Sequence, residues 1–152
     1  MYVTVQEYRN YADVFGITVP ADDADVTIQL EKASAYIDSK EQYLIGSRTE
    51  RDQDHAYPRK GLIINGFVYP DDEDPDIVKK CQMELALEIN AGVDIYKDRT
   101  VLPVIKQRVE GAVERQFASP STVQAKQAES KAMSLLRQLM GPPKMSISLQ
   151  RV

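Results

Sequence analysis

Four stretches of the chain repeat their apolar residues at helical spacing, and others alternate as strands do. The first stripe is Val5, Tyr8, Ala12 and Phe15. Thr4-Val5-Gln6-Glu7 opens it as a capping box, with Thr4 as N-cap and Glu7 three residues on, and Gly16 closes it. After a connector marked by Pro20, Val26, Leu30, Ala33 and Ile37 predict a second helix from about Ala24 to Lys40. Asp22, Asp23 and Asp25 lie around its start, where carboxylates complement the helix dipole. A third helix follows Asp71-Asp72-Glu73-Asp74, with Pro75 expected at its first position. Val78, Cys81, Leu85 and Ile89 give its stripe, and Ile77, Ala86 and Leu87 widen it, as in a central helix, before Gly92 ends it. The last helix is expected from Pro120 and Ser121 or Thr122 to Met140. It has Ala125, Ala128, Ala132, Leu135, Leu136 and Leu139 on one face, and Gly141-Pro142-Pro143 stops it.

Between the second and third helices, residues 41–74 carry a polar loop and then two short extended pieces, 62–69, around Asn65-Gly66. A structureless loop of that length is unusual in a compact domain, so Tyr57, Leu62, Ile64, Phe67 and Tyr69 are expected to pack onto the helices. Residues 104–117 read as a β-hairpin, because Ile105, Gln107 and Val109 alternate with Lys106 and Arg108. A lone hairpin is marginal in water. Lys106, Arg108, Glu110, Glu114 and Arg115 are therefore candidates for contact with a neighbouring subunit, the other support being the hairpin's own domain. Beyond Pro143, Met145, Ile147 and Leu149 alternate with Ser146, Ser148 and Gln150, and Val152 follows, a strand pattern with no evident partner strand in its own chain. Such a segment can add to another protein's sheet edge. The expected architecture is mainly α, a bundle of about four helices with a hairpin insertion in a domain over 1–141. An extended docking tail covers 142–152.

Composition adds limits. The chain has 152 residues, 43% hydrophobic and 28% charged, near the averages for soluble domains. No apolar run approaches the roughly 18–20 residues that cross a bilayer, and the first residues lack the pattern of a signal peptide. A single cysteine, Cys81, forms no internal disulfide, in keeping with a reducing compartment. The net charge of −4 is unevenly divided: residues 1–100 hold 11 Lys/Arg against 20 Asp/Glu, or −9, and residues 101–152 hold 8 against 3, or +5. Such polarity favours stacking of copies. The acidic whole argues against general nucleic-acid binding.

Candidate chemistry is sparse. His55 is the only histidine, which excludes a two-histidine metal site or a histidine pair. Cys81 lies on the apolar face of the third helix, as a buried inert thiol does. The acidic run of Asp71, Asp72, Glu73, Asp74 and Asp76 lacks the spacing and mid-loop glycine of a calcium loop and reads as helix-start electrostatics. No phosphate-cradling glycine motif is present. There is no tryptophan, and the eight tyrosines are not interleaved with clustered cations as a stacking platform requires. A non-enzymatic protein without cofactor or metal is expected.

Ala33-Ser34-Ala35-Tyr36-Ile37-Asp38, then Ala56-Tyr57-Pro58-Arg59, then Pro75-Asp76-Ile77-Val78-Lys79-Lys80-Cys81 and Glu84-Leu85-Ala86, followed by a hairpin and a closing helix, resemble a known layout. It is that of the head–tail connector, or adaptor, proteins of tailed bacteriophages, including a group often labelled DnaT-like single-stranded-DNA-binding proteins. The resemblance covers most of the chain up to Met140. Tyr57 stands where the family usually has tryptophan. The resemblance implies a virion protein of the neck, present in the host cytoplasm during assembly, in a ring of about twelve copies beneath the portal. Duplex DNA would pass through its channel without sequence-specific binding. Its partners would be itself, the portal and the next neck or tail-completion protein, with Met145, Ile147, Leu149 and Val152 docking on the portal. The group's label implies an alternative, a single-stranded-DNA-binding replication protein using Lys106, Arg108, Arg115, Lys126, Lys131 and Arg137. A third reading is an assembly chaperone or inhibitor.

Overall fold

The computed structural model describes residues 1–97, 104–110, 112–117 and 130–141. Residues 1–95 and 131–141 form one compact unit, and the described residues within 96–130 belong to a second.

In the first unit, α1 spans Val5–Val14 and starts on the expected capping box: Glu7 N–H donates to Thr4 Oγ1, and Thr4 N–H donates to the Glu7 carboxylate. Each half satisfies an amide that the first helical turn leaves unpaired. Tyr8 and Ala12 are buried, whereas Phe15, expected on the same stripe, is 51% exposed. The helix has ended by then, and Phe15 caps it outside the 3.6-residue repeat. Helix α2 runs Asp23–Asp38, capped by Asp22, and Val26, Leu30, Ala33 and Ile37 are fully buried. Helix α3 runs Asp76–Asn90. Pro75 is its N-cap and not its first helical residue, with an extended backbone at ψ 142°. Val78, Cys81 and Leu85 are buried, Ile89 partly, and α3 packs against α1, α2 and α4 as a central helix does. Helix α4 spans Lys131–Leu139, with Ala132, Leu136 and Leu139 fully buried.

Ser130 is not helical, so the last helix is not continuous from residue 122 to 140. Serine favours helix starts, because its hydroxyl competes for backbone N–H groups. Ala125 and Ala128 lie outside the described residues.

Gln82, on the buried face of α3, ties the N-terminal segment to the core. Its Oε1 accepts from Tyr2 N–H (2.9 Å) and Val3 N–H (3.1 Å), and its Nε2 donates to the Leu30 carbonyl (2.8 Å). A fully buried amide is tolerated because its polar atoms are paired.

Between α2 and α3 a short 3-10 turn, Glu41–Tyr43, precedes two small antiparallel pairs. Strand β1 (Ser47–Arg48) pairs with β2 (Arg59–Lys60), and β3 (Ile63–Ile64) pairs with β4 (Phe67–Val68) across Asn65-Gly66. Asn65 at φ 53° and Gly66 at φ 84° are both left-handed, as a tight hairpin turn of this type requires. Tyr57, Leu62 and Ile64 pack into the core, and Tyr69 partly, as expected. Phe67 does not. It is 73% exposed, although Ile64, its partner across the turn, is buried.

In the second unit, β5 (Val104–Glu110) pairs with β6 (Ala112–Phe117), the predicted hairpin. Its register sets Lys106 opposite Gln116, Arg108 opposite Glu114 and Gln107 opposite Arg115, with an irregularity between Val104 and Lys106.

Candidate functional site

The polar loop after α2 is fastened by one aspartate. Asp38 closes α2, the end at which the helix dipole disfavours a carboxylate. The offset is hydrogen bonding. Asp38 accepts from the Tyr2 hydroxyl, from Ala56 N–H at 2.9 Å, and meets His55 Nδ1 at 2.9 Å. Burial and the Asp38 carboxylate push the Tyr2 phenol well above its usual range, so it stays a donor.

Arg59, 5% exposed, holds the next stretch. Its guanidinium donates to the carbonyls of Ile45 (2.8 Å), Gly46 (2.8 Å) and Ala56 (3.2 Å), and lies 3.4 Å from Glu41 Oε1. Glu41 also takes Arg48 in a two-pronged pair, at 2.6 and 2.8 Å. The Arg48 hydrogen bonds hold the Glu41 carboxyl below the usual glutamate range. Gln53 accepts from Thr49 N–H (3.0 Å) and donates to the His55 carbonyl (2.7 Å). The Tyr57–Pro58 bond is cis. Every charged group here points at backbone or at a neighbour, so the cluster shapes a loop. It presents no nucleophile with an adjacent base. His55 and Cys81 stand apart in role: His55 belongs to this network, and burial pushes the Cys81 thiol up to about 12.

The acidic run does not converge. Among the described residues no group of three His, Cys, Asp or Glu could hold a metal ion. Asp71 Oδ1 accepts from Gly61 N–H at 3.1 Å, and partial burial raises the Asp74 carboxyl above its ordinary value.

A second cluster joins α1, α3 and α4. The Lys131 ammonium pairs with the Glu84 carboxylate, which also accepts from the Tyr11 hydroxyl at 2.5 Å. The same ammonium lies 4.5 Å from the centre of the exposed Phe15 ring. Lys131 was a predicted member of a basic face, yet here it is neutralised by Glu84. The hairpin candidates Lys106, Arg108, Glu110, Glu114 and Arg115 fall on β5 and β6 as predicted, and Arg108 faces Glu114 in the register. Met145, Ile147, Leu149, Val152 and Lys126 lie outside the described residues.

One family model matches residues 1–152, and its description reads "Putative DnaT-like ssDNA binding protein". The chain belongs to this DnaT-like family. No curated protein and no solved structure matches it. The family's description names single-stranded DNA and no virion component.

Asp38 and Arg59 enter the sequence reading only inside the motifs of the resemblance, with no role assigned, and Gln82 does not enter it. Asp38 had a readable signal, a carboxylate at the wrong end of a helix, which calls for donors. Arg59 and Gln82 had none, since their partners are backbone groups far along the chain.

Proposed function

We propose that the chain binds single-stranded DNA and that the cations of its last third supply the contacts. The full-length match to a family described by that ligand carries the reading. Charge supports the placement. The first 100 residues carry −9 and repel phosphate, whereas residues 101–152 carry +5 and include Lys106, Arg108, Arg115 and Lys144. Binding by such a segment releases counterions and acts without a covalent step. The test is fluorescence anisotropy of a labelled oligo-dT across salt. With about four phosphates neutralised, affinity should fall about fiftyfold between roughly 50 and 200 mM salt. No binding at the lowest salt contradicts the proposal.

The acidic balance of residues 1–100 favours a second reading, a structural adaptor at the head–tail junction of a tailed phage, forming a ring under the portal. A channel lined with negative charge would let duplex DNA pass without gripping it. The 142–152 segment, with Met145, Ile147, Leu149 and Val152, would then dock on the portal. Electron microscopy of the protein mixed with a portal ring separates the readings: a ring stacked on the portal, without affinity for oligo-dT, favours the adaptor.

A further inference from the structure

We propose that the β3–β4 hairpin is a self-association site and that its occupant is residues 142–152 of a second copy. Three apolar side chains of this small hairpin face solvent: Ile63 at 52%, Phe67 at 73% and Val68 at 77% exposure. Their positions are not loose. Ile63 pairs with Val68 and Ile64 with Phe67, Tyr69 N–H donates to the Leu62 carbonyl at 3.0 Å, and Leu62 and Ile64 anchor the base in the core. A fixed apolar projection from a folded body marks a contact surface. Among the described residues β3 and β4 pair only with each other, so each keeps an outer edge that can accept an added strand.

Charge selects the occupant. Asp71, Asp72 and Glu73 are exposed beside the hairpin, and the Asp71–Gly61 hydrogen bond holds that acidic turn against its base. The complementary ligand is a short extended segment with alternate apolar residues between cations. Residues 142–152 have that composition: Lys144 and Arg151 flank Met145, Ile147 and Leu149. Pro142 and Pro143 have no N–H to donate, so pairing can begin at Lys144. The donor is another copy because the charge division is end to end, −9 over the first 100 residues against +5 over the rest, which attracts chains head to tail. The contact shares Lys144 with the proposed DNA-binding cations, so it is tested on protein free of DNA, where its failure leaves the DNA reading untouched.

Sedimentation velocity of the full-length protein over a concentration series at low salt tests this. The mass should rise with concentration, and higher salt should weaken the association. Phe67→Ser with Val68→Thr should shift the association midpoint at least about tenfold, and so should Ile147→Asp with Leu149→Asp. The two double variants, each monomeric alone, should form a one-to-one dimer when mixed, since one keeps an intact tail and the other an intact hairpin. Circular dichroism of each checks that it is folded, and the tail variant leaves the helical core untouched. A wild-type chain that stays monomeric, association unchanged by either variant, or a mixture that stays monomeric overturns the proposal.

Discussion

The two halves of the segment between α2 and α3 invert the usual rule of burial. Residues 41–60 are rich in charge, and although Glu50, Arg51, Asp52, Asp54 and Lys60 stay exposed, Arg59 turns inward on the carbonyls of Ile45, Gly46 and Ala56, and Arg48 pairs with Glu41. Residues 63–68 are largely apolar, yet Ile63, Phe67 and Val68 face water. The Glu41, Arg48 and Arg59 groups are satisfied within their own chain, so they shape the fold and offer little to a partner. The apolar half keeps surface that only a partner can remove from water, about 25 cal/mol for each Å² covered. Function in this molecule is therefore sought where apolar or charged groups are left over, not where they are densest.

Five substitutions test that contrast. Arg59→Ala strips donors from three carbonyls and should cost about 3 kcal/mol, read as a lower urea midpoint. A loss under about 1 kcal/mol would show that water replaces the guanidinium. Gly46→Ala comes next: at φ +81° a Cβ would stand 2.6 Å from the Lys60 carbonyl oxygen, between β1 and β2. It should cost about 2 kcal/mol in the same assay.

Glu41→Gln should act through pH. The carboxyl of Glu41 is held low in the folded state, so its contribution is present above the ordinary value of 4.5 and is lost as pH falls through the lower folded value. The variant should lower the melting temperature at pH 7, and the difference should shrink in acid. Asp74→Asn should do the opposite. A carboxyl raised by burial contributes fully below its ordinary value of 3.8, and that contribution is lost as pH rises through the folded value. The variant should therefore gain at pH 7 relative to acid. Phe67→Ser should have the smallest effect on stability, within about 0.5 kcal/mol by urea unfolding, because its side chain is already in water.

Much of the fold was legible. The Thr4–Glu7 box, the Val26–Ile37 stripe, the Asn65-Gly66 turn and the 104–117 hairpin depend on neighbours in sequence, and local patterns report local physics. Arg59 and Gln82 depend on distant backbone atoms, which no periodicity encodes. Phe15 and Phe67 were misplaced inward for different reasons: Phe15 sits just past α1, whose repeat was extended to include it, whereas Phe67 lies within β4 and was expected inward only because a long loop needs anchors. The candidate site was less legible. Hairpin residues Lys106 to Arg115 fall on paired strands as expected, but Lys131 is claimed by Glu84, a partner one helix away.

Hydrogen–deuterium exchange of the full-length protein, with and without oligo-dT at low salt, tests the DNA-binding proposal most directly. Amides within 98–152 should slow on binding, while those of 41–69 stay unchanged. Unaltered exchange throughout, or protection confined to residues 1–97, would contradict it.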